Sequence, residues 1–206
     1  MIRGMNKILL VLTALLVATG CDFVDHEKWQ TSHVEAPDFS KYPRGLIFPA
    51  TLQISPEFTV EEQQAIVAAV DLWKARTNGM ADVTPVVGDD QMQKCNIRPV
   101  AEPLEGAPSA MAVSEGAPQL NACNILVVRK QIDFAKSLWD DAPSHDVMVE
   151  QVVTHELGHV FGLEHLEDQK SIMFWSYETQ NVGLDDEAVV SFCNLRGCPN
   201  GMRDAK

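Results

Sequence analysis

Apolar positions recur along this chain with three different spacings, and each spacing predicts a different kind of element. The first is a continuous run, Ile8 to Ala18, broken only by Thr13. Eleven residues rise roughly 16 Å as a helix, well short of the ~30 Å hydrocarbon core of a bilayer. With Arg3 and Lys7 ahead of it, the run has the charge and length of a secretory signal peptide, which sets residues 1–20 apart from the folded protein. The second spacing is helical. Ile66, Val67, Val70 and Trp73 fall at helical intervals within residues 60–76, behind Thr59 and Glu62 as a capping box. A second helix is predicted from near Ser144. A third starts at Asp185-Asp186-Glu187, acidic residues that favour a helix N-terminus, and runs to about Leu195. The third spacing is that of strands: residues 95–100 and 123–129 are apolar and β-rich, with 109–113 a short strand between them. Pro, Gly and Glu cluster at 99–118, which predicts a loop-rich insertion near a sheet edge. There is no internal repeat and no low-complexity tract. Strands interspersed with long helices predict an α+β fold, a mixed sheet with three helices packed against it.

The helix that starts near Ser144 carries the chemistry. Its sequence continues His155-Glu156-Leu157-Gly158-His159-Val160-Phe161-Gly162-Leu163-Glu164-His165. Positions i and i+4 project from one helix face, so His155 and His159 reach a single ion. Glu156 is one position on, close enough to address a water there without being forced to ligate. Gly162 takes φ > 0 at no steric cost, so the helix can end there and the chain turn back to bring His165 round as third ligand. Two solvated histidines on an amphipathic helix would need only His155 and His159. The longer pattern fixes five residue identities over eleven positions.

H-E-x-x-H-x-x-G-x-x-H is the metzincin signature, and this chain resembles that group of zinc metalloproteases. Ser171-Ile172-Met173, with the methionine eight residues after His165, resembles the Met-turn that floors such sites, at the interval found in matrixins, the matrix metalloproteinase family. Tyr177 matches the family's S1′ wall tyrosine, while Trp175 stands where the family usually has proline. Astacins and serralysins carry a zinc-binding tyrosine at that same place, so their tyrosine switch is absent. Residues 60–76 resemble the long first helix of a matrixin catalytic domain, with Leu46 to Ile54 before it as first strand.

The resemblance implies a twisted mixed sheet of zincin type and a zinc-dependent endopeptidase acting on polypeptides. It assigns one catalytic Zn2+ to His155, His159 and His165, the general base to Glu156, the Met-turn to Met173, and the substrate pocket to Gln151 and Tyr177. A bound peptide would add to the sheet edge near Ser109 to Val113. Ca2+ is a further candidate ion, at Asp89-Asp90 and Asp140-Asp141. Matrixins also carry a structural zinc with upstream histidine ligands, but between residues 34 and 144 this chain has no histidine. No P-R-C-G-type latency segment is present either. His145 reads as a surface residue in the first turn of the active-site helix, and His26 and His33 as part of a tether. The alternative function is a catalytically idle zinc-binding adaptor or adhesin. Glu156 separates the two, because a chain relieved of catalysis has no physical reason to keep a carboxylate beside the metal.

The N-terminal end predicts where the protein works. Ala18-Thr19-Gly20-Cys21 resembles a bacterial lipobox, in which the cysteine is acylated and becomes the first mature residue. Several acyl chains on Cys21 would give the two or more hydrophobic signals that stable anchoring requires. Residues 21–44 then read as a lipidated tether and 45–206 as the catalytic domain, a monomer in the cell envelope; a conventionally cleaved, secreted protein is the alternative. Setting Cys21 aside leaves Cys95, Cys123, Cys193 and Cys198, an even four in an oxidising compartment. Three pairings are open. A short loop with Gly197 and Pro199 favours Cys193–Cys198, and two predicted strands favour Cys95–Cys123; free thiols or a second metal site are the other readings. The chain's net charge of −13 becomes −15 once Arg3 and Lys7 leave with the signal, a surface that repels nucleic acid. Cys21→Ser is expected to move the protein from a membrane-bound, detergent-phase form to a soluble form or an unprocessed precursor. Labelling with radioactive palmitate checks this, and unlabelled, soluble wild type would refute the lipoprotein reading.

Overall fold

The computed structural model describes residues 45–88, 95–105, 107, 109–117, 121–138, 140–175 and 183–199. Their elements run β1 (Ala50–Ile54), α1 (Val60–Arg76), β2 (Val83–Val87), β3 (Cys95–Val100), β4 (Ala112–Ala117), β5 (Ala122–Val128), α2 (Arg129–Lys136), α3 (His145–Val160) and α4 (Asp186–Arg196). The five strands form one sheet in the order β2-β1-β3-β5-β4. All pairs are parallel except β4 with β5, so β4 is an antiparallel edge strand.

Register puts the apolar residues of the central strands in rows. Leu52, Cys95 and Cys123 are cross-strand partners, and so, one step along, are Ile54, Ile97 and Ile125. All six are buried, because side chains two apart on a strand share a face. The Cys95–Cys123 disulfide lies within the first row, Cα–Cα 4.3 Å. α1 and α3 pack against each other, and their apolar side chains, Ile66, Val70, Trp73, Val152 and Val153 among them, share one core with the sheet rows. Trp73 ties the two helices directly, its indole Nε1–H donating to the Thr154 carbonyl at 2.8 Å. Around it, Phe48, Phe161 and Phe192 meet at centroid distances of 5.3–6.1 Å, joining the segment before β1 to α3 and α4.

Several expectations hold and others shift. α1 has the expected limits, and its capping box is formed in both directions. α3 begins after Ser144, and α4 is capped by Asp185 and stopped by Gly197 in the left-handed conformation. The strand expected at 109–113 lies instead at Ala112–Ala117, inside the segment read as loop-rich. Ser114, Glu115 and Gly116 have weak strand preference, but pairing with β5 overrides it. β2 was not among the expected strands; it contains Pro85, whose missing N–H a sheet edge tolerates. The apolar run at 123–129 ends at Val128, and Arg129 opens a fourth helix, α2, of eight residues.

The correction with most consequence concerns His145, read as a surface residue. Its Nε2 lies 3.0 Å from Glu62 Oε1 and its Nδ1 2.9 Å from Asp133 Oδ1. Glu62 is buried and also accepts from the Thr59 N–H at 2.8 Å and from Arg129 Nε at 2.7 Å, with Arg129 Nη2 on its second oxygen. One carboxylate thus joins the starts of α1, α2 and α3. Burial pushes its pKa up, but the bonds from Arg129, Thr59 and His145 and the guanidinium charge outweigh that and lower it from 4.5 to about 2. The stability supplied by the ionised form is therefore present above pH 4.5 and is lost as pH falls from there towards 2. Glu62→Gln is expected to cost about 2 kcal/mol at neutral pH, because it leaves the buried face of Arg129 without its counter-charge. Denaturant titrations with a chelator present check this: the variant should also lose the decline between pH 4.5 and 2, and equal stabilities at pH 7 would contradict it.

Candidate metal centre

α3 is buried on all sides from Gln151 to Gly158, and His155 and Glu156 lie in that stretch. The helix ends within one turn of His159. Phe161 N–H still reaches Leu157 O at 2.8 Å, Gly162 N–H bonds to His159 O at 2.9 Å, and Leu163 N–H returns to Gly158 O at 2.9 Å. Gly162 has φ +99°, a conformation that L side chains rarely adopt. The chain reverses there and delivers His165 to the other two histidines.

The three Nε2 atoms converge. That of His159 lies 3.0 Å from His155 Nε2 and 3.2 Å from His165 Nε2. On two of the rings the second nitrogen faces a carbonyl: His155 Nδ1 donates to Ile172 O at 2.6 Å, and His159 Nδ1 to Leu163 O at 2.9 Å. A carbonyl only accepts, so the proton sits on Nδ1 and the Nε2 lone pair points into the cluster. Burial first, then neighbouring His159, lower the His155 pKa to about 3 against the opposing Ile172 carbonyl. The ring is held neutral, which is the ligating form. Lone pairs this close repel unless a cation sits among them. Zinc–nitrogen bonds of about 2.0–2.1 Å at tetrahedral angles put ligand nitrogens about 3.4 Å apart, close to what is found. The donor set fits zinc, with carbonyl partners behind the rings fixing their orientation. His155 is buried, His159 half-buried and His165 exposed, so the cluster opens to solvent on the His165 side. Among the described residues it is the one group of three or more His, Cys, Asp or Glu placed to hold an ion.

Residues 171–174, expected as the Met-turn, form a turn against His155. Ser171 N–H bonds to Asp168 O at 2.9 Å and Phe174 N–H to Ser171 O at 3.0 Å, a tight turn that leaves Met173 fully buried. Met173 O accepts from Leu166 N–H at 2.9 Å, which ties the turn to the residue after the third histidine. Asp185 is the anchor the sequence reading used only as a helix start. Its Oδ1 caps α4 at Ala188 N–H, 2.9 Å, while Oδ2 accepts from Ile172 N–H at 2.6 Å and Ser171 Oγ at 2.9 Å. Ile172 thereby presents its carbonyl to His155. A second role of this kind has no local pattern, since thirteen residues separate Asp185 from Ile172.

The remaining candidates divide. Gln151 is buried on α3 one turn before His155. Cys193 and Cys198 are bonded to each other, Cα–Cα 4.7 Å. Asp140 and Asp141 are exposed. Tyr177, Cys21, His26, His33 and Asp89-Asp90 lie outside the described residues.

A model of the matrixin family matches residues 17–195. Archaemetzincin of Haloquadratum walsbyi (strain DSM 16790 / HBSQ001) is 39% identical over 59 residues, 29% of this chain and 34% of that protein. Metalloproteinase-II from Bacteroides fragilis superposes with a TM-score of 0.46 at 13% identity, covering 75% of this chain and 55% of that chain. The chain thus spans about a third of the first relative's length and about half of the second's.

Gly158 tests the packing between helix and turn. A Cβ there would overlap Met173 Sδ, lie 2.9 Å from Met173 Cε and 3.4 Å from Trp73 Cζ2. Alanine's helix preference, about 1 kcal/mol over glycine, is therefore opposed by overpacking of about 1–3 kcal/mol. Gly158→Ala is expected to lower the unfolding midpoint. A higher midpoint would mean that the Met-turn gives way freely.

Proposed function

This chain belongs to the matrixin family, and from that membership we propose that it is a zinc-dependent endopeptidase tethered to the bacterial cell envelope. The observation that carries the reading is the convergence of three Nε2 atoms, two of them from the helix that also carries buried Glu156. Bound by His155, His159 and His165, zinc would supply a Lewis acid that polarises a carbonyl and acidifies a water. Glu156 then works as the proton carrier: its carboxylate accepts a proton from the attacking water and passes it to the departing amine. At 2% exposure that carboxylate is kept out of bulk water. His155 and His159 stay fixed through their carbonyl partners and need no reorganisation during the reaction.

The sheet offers a substrate its backbone. Among the described residues β4 pairs with β5 alone, and it packs against α3. An extended polypeptide can add to the free side of such a strand; the strand's place moves the expected contact from Ser109–Val113 to Ala112–Ala117. Gln151, buried beneath, is the pocket residue of this reading, with Tyr177 as its partner wall. Acylation of Cys21 and a tether over 21–44 place the domain at a membrane surface, supported by the Ala18-Thr19-Gly20-Cys21 sequence.

The test is zinc content and casein hydrolysis of full-length protein and its Glu156→Ala variant. Both are expected to bind one zinc per chain, with hydrolysis lowered about 10²–10⁴-fold in the variant. A variant as active as wild type would overturn the assignment of Glu156, and a zinc-loaded wild type with no peptidase activity on denatured proteins would favour the adaptor reading.

A further inference from the structure

The segment that enters the domain, residues 45–48, touches the zinc site from behind. Gly45 has φ +80°, and a Cβ there would overlap the Phe161 carbonyl carbon and oxygen and lie 2.6 Å from Gly162 N. These are backbone atoms of the turn between the second and third histidines, so no side-chain adjustment can relieve the overlap. Leu46 N–H donates to Val160 O at 2.8 Å, satisfying one of the last carbonyls of α3. Leu46 O accepts from Arg196 on α4, whose guanidinium lies 5.0 Å from the Phe48 ring centroid. Ile47 is clamped by Asn121, which accepts its N–H at 2.6 Å. Phe48 stacks edge-on against Phe161 at 5.3 Å. Three parts of the fold thus hold this strap against one turn.

That turn sets the metal ligands. Gly162 N–H bonds to His159 O, Leu163 N–H to Gly158 O, and Leu163 O receives the His159 Nδ1 proton. We propose that the strap at residues 45–48 is a positioning element of the zinc site, with Gly45 the residue that lets it seat against the Phe161–Gly162 turn. The proposal rests on the zinc reading above and adds the strap as its support. Displacing the turn tilts the Leu163 carbonyl away from His159 and moves the start of the run to His165, so metal binding should weaken even though neither ligand is altered. Groups that orient metal ligands typically change affinity by about 10–100-fold when lost.

A control for backbone strain is built into the chain. Gly79 has φ +82°, almost the same as Gly45, but a Cβ there meets nothing within 4 Å. Gly79→Ala carries the cost of the left-handed conformation without any overlap. The experiment is competition for zinc against a colorimetric chelator on the full chain, comparing wild type, Gly45→Ala and Gly79→Ala, with the visible spectrum of the cobalt-loaded proteins as second readout. Gly45→Ala is expected to bind zinc about 10–100-fold more weakly than Gly79→Ala and to show an altered cobalt spectrum. Equal zinc affinity of those two variants would overturn the proposal alone; a wild type that binds no zinc would overturn the zinc reading and this proposal with it. Arg196→Gln loosens the strap without adding an atom, and is expected to weaken zinc binding about 3–10-fold. Unchanged affinity in that variant overturns the proposal even where Gly45→Ala does not fold.

Discussion

Imidazole nitrogens held 3.0 and 3.2 Å apart present lone pairs to one another, and a fold that holds them ready for a cation has to fix the rings from behind. Two carbonyls do this here, Ile172 O for His155 and Leu163 O for His159. Neither carbonyl belongs to a regular element. Each sits in a turn, and each turn has to be immobilised by something rigid. Much of the architecture near α3 can be understood as meeting that requirement.

The means are carboxylates and glycines used at a distance. Asp185 caps α4 and accepts from the Ile172 N–H, so the turn at residues 171–174 is tied to the start of α4. Glu62 caps α1 and binds Arg129 and His145, so the beginning of α3 is fixed to the beginnings of α1 and α2. A carboxylate with several donors resists displacement, most of all where it is buried as Glu62 is, because losing a donor leaves charge uncompensated. Gly158 and Gly45 do the reverse. They omit atoms, which allows Met173 to approach the helix on one side and the entering strap to approach its last turn on the other. The aromatic group of Phe48, Trp73, Phe161 and Phe192 fills the space between these contacts and joins α1, α3 and α4.

The placement of these supports also explains how the site opens. Burial decreases from His155 through His159 to His165, so the rigid supports crowd the inner side and leave the outer ligand near solvent. β4 packs against α3 at the sheet edge. Rigidity behind and access in front arise because α3 is buried up to Gly158, whereas the chain beyond Gly162 carries His165 out to solvent.

What the sequence by itself determined is what depends on near neighbours. The i and i+4 histidines, the glutamate between them and the glycine that ends the helix are local, and helix geometry converts their spacing directly into position. The limits of α1 and its capping box, the start of α3 at Ser144 and the acidic start of α4 were legible for the same reason. Tertiary structure alone decided the rest. Strand β4 forms from weak strand residues because β5 supplies its partner, and β2 tolerates Pro85 because it lies at an edge. His145 is drawn between Glu62 and Asp133, and Asp185 is turned from a helix cap into an anchor, by groups 12 to 83 residues away. A long-range partner leaves no periodicity in the sequence, since its position is set by how whole elements pack and not by the residues beside it.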